Sequence, residues 1–110
     1  MEGRPMLVEL REEAWREIRR WPVSVRQSLG SVLQRLQDRE LVGMPDVRSM
    51  PSVGKGVLEI RIRDQTGAYR AFFVHVTTRG LVVFHAFIKK AQKTPFREIE
   101  LAQRRLRQIE

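Results

Sequence analysis

Three strand-like runs joined by two tight turns occupy residues 55–95, and they limit what this chain can fold into more than any other stretch. Residues 57–64 alternate, with Leu58, Ile60 and Ile62 on one side and Val57, Glu59, Arg61 and Arg63 on the other. Asp64-Gln65-Thr66-Gly67 reads as a hairpin turn. Residues 68–76 return with Phe72, Phe73, Val74 and Val76 filling both faces. Thr78-Arg79-Gly80 turns the chain again, into residues 81–88, which are apolar on both faces except at His85. Such a run predicts a strand inside the sheet rather than at its edge. A meander of this kind must be covered by helices before it can bury its apolar side chains.

The flanking segments supply them. Residues 4–10 read as a short strand in which Met6, Val8 and Leu10 alternate with Leu7 and Glu9. The period then changes: Ala14, Trp15, Ile18 and Trp21 recur at helical spacing, which makes both tryptophans packing residues. Pro22 separates this helix from a second over residues 23–38, whose stripe is Val25, Leu29, Val32, Leu33 and Leu36. The two should form an antiparallel hairpin. Gly30 weakens the second helix by roughly 1 kcal/mol relative to Ala, or marks close packing of the pair. Residues 41–56, punctuated by Gly43, Pro45, Pro51, Gly54 and Gly56, read as one long irregular loop. A last helix has Thr94 as its expected N-cap, Pro95 at its first position, and Ile99, Ala102, Leu106 and Ile109 on its apolar side. Glu98 and Glu100 early in it, with Arg104, Arg105 and Arg107 late, suit the helix dipole. The expected order is β-α-α-β-β-β-α: one α+β domain over residues 1–110, an antiparallel meander sheet with its helices on one face.

Charge narrows the function. The chain carries +8 formally, yet residues 1–54 hold 9 Lys and Arg against 8 Asp and Glu, while residues 55–110 hold 12 against 5. The excess therefore belongs to the sheet and last helix, as a polyanion-binding face requires. Without cysteine there is neither a disulfide framework nor a thiolate metal site. No signal-peptide pattern and no membrane-length apolar window occur, so a cytoplasmic protein is expected.

Within the sheet, Arg61 stands on the open face of its strand, Arg70 follows Tyr69 at the start of an apolar run, and His85 interrupts the most apolar run of all. Lys89 and Lys90 come at the end of that run, and Lys93 follows. In antiparallel neighbours these positions can converge on one concave patch suited to phosphodiester cleavage in RNA. Arginine forks would hold the phosphate and stabilise the charge of the transition state. His85, with an ordinary pKa near ~6.5, and Glu59 are the candidates for proton transfer. Glu59 could instead simply pair with Arg61 or Arg70, and His85 could be a hydrogen-bonded core residue. Tyr69 and Phe87 could stack bases or pack the core. Lys55, flanked by glycines, and Arg63 are further candidates for backbone contact, as are Lys89 and Lys93. One histidine among basic side chains suggests no metal site.

Leu58-Glu59-Ile60-Arg61-Ile62-Arg63, Ala68-Tyr69-Arg70-Ala71-Phe72-Phe73, His85-Ala86-Phe87-Ile88-Lys89-Lys90 and Gln92-Lys93-Thr94-Pro95 occur in this order, followed by Arg97-Glu98-Ile99. Together they resemble the HigB branch of the RelE/ParE toxin superfamily, a branch often described as phage-derived. The resemblance implies the toxin of a type II toxin–antitoxin system: an mRNA interferase that cuts message in the ribosomal A site, needs no cofactor, and is held inactive by a helix-turn-helix, HigA-like antitoxin. It also implies roles for Arg61, Arg70 and Lys90 at the family's basic positions. Glu59 stands where RelE itself has a lysine, and His85 is a feature of the branch. Two other functions share such a fold or charge: a ParE-like inhibitor of DNA gyrase, and an RNA-binding domain without catalysis.

Overall fold

A computed structural model of the chain describes residues 6–109. The elements run β1 (Val8–Leu10), α1 (Glu12–Ile18), α2 (Val23–Gln37), β2 (Val47–Ser49), β3 (Leu58–Asp64), β4 (Gly67–Val76), β5 (Gly80–Lys89) and α3 (Phe96–Arg107). The five strands form one sheet in the order β1-β5-β4-β3-β2. The meander forms where the alternation and turns require it. Asp64 lies opposite Gly67 and Arg61 opposite Arg70 in the β3–β4 hairpin. Its turn is tied by Asp64 Oδ1, which accepts from the Thr66 amide at 2.8 Å and from the Thr66 hydroxyl at 2.6 Å. β5 has a neighbour on each side, which accounts for apolar residues on both its faces.

The sheet is covered on both sides. On one face Leu58, Ile60, Ile62, Tyr69, Ala71, Phe73, Leu81 and Val83 meet the stripes of α1 and α2, chiefly Ala14, Ile18, Trp21, Val25, Leu29 and Leu33. On the other, Phe72, Phe84 and Phe87 meet Ala102, Ile99 and Leu106 of α3, with Met50, Val53 and Val57 from the segment before β3. The α+β class holds and the expected elements follow in the expected order with one strand, β2, added, but the placement of all helices on one face does not hold. A β-bulge between Phe72 and Phe73 breaks the alternation of β5, so that Phe84 joins Phe72 and Phe87 on the second face while Val83 and Ala86 face the first, and these large apolar groups need a cover of their own.

Other expectations are also amended. The irregular stretch 41–56 contains β2, antiparallel to β3 with Arg48 opposite Glu59. Three residues are too few for an alternation to show. The sheet is not wholly an antiparallel meander, since β1 joins β5 in parallel. Of the strand expected over residues 4–10, the structure has Val8–Leu10, and residues 4 and 5 lie outside those described. Pro95, not Thr94, takes the cap position of α3, and no side chain caps that end. Trp21 packs in the core, whereas Trp15 is 41% exposed. Nothing approaches the position a Cβ would occupy at Gly30, so that glycine does not serve helix contact.

Candidate nucleic-acid interface

Side chains opposite one another in a sheet share a face, so the register builds the site row by row. Arg48, Glu59, Phe72 and His85 form one row; Arg61, Arg70 and Phe87 the next; Arg63, Ala68 and Lys89 the last before the turn. All face α3's side of the sheet. The helix covers the phenylalanines and leaves the basic end open. There Arg48, Arg61, Arg70 and Lys89, with Gln92, Lys93 and Thr94 of the β5–α3 loop, line a hollow of about 290 Å³. Ile99 of α3 closes its inner side.

Beneath the arginines lies Glu59, 1% exposed. Its Oε1 is 3.2 Å from Arg48 Nε and 3.6 Å from Arg61 Nε, and its Oε2 is 3.6 Å from Arg70 Nε. Burial raises the Glu59 pKa, opposed by Arg70, Arg48 and Arg61. Arg70 is itself buried; loss of solvent lowers its pKa, against the pull of Glu59. Burial, then the charge of Arg70, also lowers that of Lys89. The Lys89 ammonium donates to the carbonyls of Ala91 and Gln92, which holds it at the rim of the hollow. Three guanidiniums around one carboxylate leave a concentrated positive charge in a partly desolvated concavity. An anionic oxygen entering it would meet donors that are already oriented.

The other expected site residues fall elsewhere. Arg63 is exposed beside the hollow, one row nearer the turn. Lys90 and His85 line a second, larger cavity of about 680 Å³ between α1, α3 and the end of β5. His85 is 2% exposed and is not brought to the hollow. Its Nδ1 lies 2.9 Å from Arg105 Nη1 and its Nε2 2.8 Å from Glu98 Oε1. A guanidinium can only donate, so Nδ1 accepts and the ring proton sits on Nε2, donated to Glu98. Burial lowers the His85 pKa, with the Glu98 hydrogen bond opposing and Arg105 assisting. Tyr69 is buried on the opposite face against Trp21, ring centroids 5.0 Å apart, which removes it from any base-stacking role. Phe87 is likewise core. Lys55 is exposed before β3 and lines neither cavity. Arg48 was not among the expected residues; it lies on the strand that was too short to recognise. Among the described residues no three His, Asp or Glu side chains gather as a metal ion would need, and no helix is long and apolar enough to cross a membrane.

Fold and site together define a small α+β protein that opens one end of a sheet face as a guanidinium-lined hollow. The family model described as phage derived protein Gp49-like matches residues 16–107, and the chain belongs to that family. Among solved structures the chain is similar to a double arginine-to-alanine mutant of the E. coli toxin RelE in the free state. The TM-score is 0.55 at 19% identity, covering 96% of this chain and 99% of that one. At that identity the likeness establishes a shared fold. The intact E. coli RelBE toxin–antitoxin complex matches at TM-score 0.46 and 20% identity, over 80% of this chain and 99% of that chain, and carries no argument. No curated protein matches the sequence.

Proposed function

We propose that the chain is the toxin of a type II toxin–antitoxin system, of the HigB kind, and that it cuts mRNA on the ribosome without a metal. The observation that carries this reading is the hollow itself: Arg61 and Arg70, paired across β3 and β4, stand beside Lys89 and Lys93 over a buried carboxylate. Two guanidiniums at one phosphodiester can bind it in the ground state and take up the added charge of the pentacoordinate transition state. Lys89, whose pKa is lowered, is suited to give a proton to the leaving 5′ oxygen as the P–O5′ bond breaks, while the 2′ oxygen loses its proton to solvent water and bonds to phosphorus to close a 2′,3′-cyclic phosphate. Lys93 is a backbone contact within the hollow and Arg63 one beside it, whereas Lys90 lines the other cavity and Lys55 lines neither. His85 joins sheet to α3 and acts on the site only through that helix. Its cytoplasmic partners are message in the ribosomal A site and a cognate antitoxin of the helix-turn-helix, HigA-like kind.

Arg70→Ala is expected to abolish growth inhibition while circular dichroism and the melting curve still report a folded domain. A folded variant that remains fully toxic would sink the assignment. A second reading, RNA binding without cleavage, draws support from the engagement of both Glu59 and His85 in internal pairs. Mapping message ends after induction separates the two: new cuts within codons mean an interferase. Intact message with damaged DNA would point instead to gyrase inhibition of the ParE kind.

A further inference from the structure

We infer that Arg48 of β2 is a third RNA-contacting guanidinium, and that Glu59 is the positioning residue that aims all three. The inference rests on the RNA-binding reading of the hollow. Each of Arg48, Arg61 and Arg70 turns its Nε edge to Glu59, at 3.2, 3.6 and 3.6 Å. The terminal nitrogens of each fork lie farther from the carboxylate than Nε does. For two of the three, what they meet is weak. Among the described residues, Arg48 Nη2 has only the Met50 sulfur as hydrogen-bond partner, at 3.8 Å, and Arg61 Nη1 only the Met44 sulfur, at 3.9 Å. Arg70 Nη1 donates to the Tyr69 carbonyl at 3.1 Å. A thioether is a poor acceptor for a charged donor, so a phosphate oxygen would displace it readily.

The Arg48 side chain is 45% exposed and lines the same hollow as Arg61 and Arg70. β2 thus brings a cation from outside the meander to the site. Glu59 has no such access. Both its oxygens are buried and, among the described residues, have ion-pair partners but no hydrogen bond. A carboxylate enclosed by guanidiniums cannot reach a 2′-hydroxyl proton, but it can set the direction of three forks. One anion does not neutralise three cations, and the surplus charge is what the incoming phosphate meets.

The test uses the full chain and a fluorescent single-stranded RNA oligonucleotide titrated at several salt concentrations, with cleavage of ribosome-bound message as second readout. Arg48→Ala is expected to weaken RNA binding roughly tenfold and to flatten the slope of log affinity against log salt by about 0.7. Arg48→Lys should restore the slope but not the full affinity. Arg104→Ala, on the exposed side of α3, should change neither. Glu59→Gln should bind RNA as well as the wild type or better, since a negative charge is lost, yet cleave at least about tenfold more slowly because the forks are no longer aimed. The acid limb of its pH–rate profile should match the wild type. Should Glu59→Gln not fold, Glu59→Asp retains the charge and withdraws it by one methylene, and the same loss of rate is expected. Unchanged affinity and slope in Arg48→Ala, while Arg61→Ala weakens binding, overturns the role of Arg48. Disappearance of the acid limb in Glu59→Gln makes Glu59 a base and overturns its positioning role. No RNA binding by the wild type removes the functional reading, and this inference with it.

Discussion

His85 lies between Phe72 and Phe87, ring centroids 5.6 Å from each, with its two nitrogens spent on Glu98 and Arg105 of α3. Protonating it would destroy the acceptor that Arg105 uses and place a second cation beside that guanidinium. The consequence for stability has a definite sign. The folded-state pKa lies below the ordinary 6.5, so below that pH the unfolded chain takes up the proton more readily than the folded one. The stability contributed by neutral His85 is complete above about pH 6.5 and is lost as pH falls through the lowered pKa. Thermal melts are expected to show a falling midpoint on acidification in this window, and His85→Gln should remove that part of the slope. An identical slope in the variant would assign the effect to other groups. Glu59 acts in the opposite direction: its pKa is raised, so folding stability declines as pH rises from the ordinary 4.5 through the folded value. Arg70, by contrast, is a residue whose loss should leave the fold and remove the function.

At the scale of elements, the join between β1 and β5 depends on one glycine. Gly80 has φ +93°, and a Cβ there would lie 2.4 Å from the Leu7 carbonyl oxygen, the acceptor of the Leu81 amide at 2.9 Å. Neither the backbone angle nor the backbone atom can yield cheaply. Gly80→Ala is expected to cost about 1–3 kcal/mol, measured as a lower denaturation midpoint with an unchanged m-value, and to loosen β1 first by hydrogen exchange. Wild-type protection at the Leu81 and Arg11 amides, which bond across that join, would contradict this. α3 is the other decisive element. It covers the phenylalanines of the second face and stops short of the basic rows, so the hollow exists because the helix ends its contact at Ile99. Gln103 donating to the Ser52 carbonyl at 2.9 Å ties that helix to the segment between β2 and β3.

Over the whole molecule, Arg61, Arg70, Lys89 and Lys93 from the basic half of the chain meet Arg48 at one end of the sheet. Binding to single-stranded RNA should accordingly weaken steeply with salt, the slope counting about 0.7 per phosphate contacted. Neutralising Lys89 and Lys93 together should reduce that slope by roughly 1.4, read from oligonucleotide titrations. An unaltered slope would place the RNA elsewhere.

Periodicity alone settled the three strands of the meander, the stripe of α2, and the side of β3 on which Glu59, Arg61 and Arg63 stand, because each is repeated over enough residues to declare its period. Arg61, Arg70, Lys89 and Lys93 were legible as a basic group from type and position. Which of them share a hollow was not. That Glu59 lies beneath them, that His85 belongs to α3, that Tyr69 faces the opposite core, and that Arg48 joins from a three-residue strand are matters of register and of which face each helix covers. Those are contacts between segments far apart in the chain, and only the packed fold brings them within reach of one another.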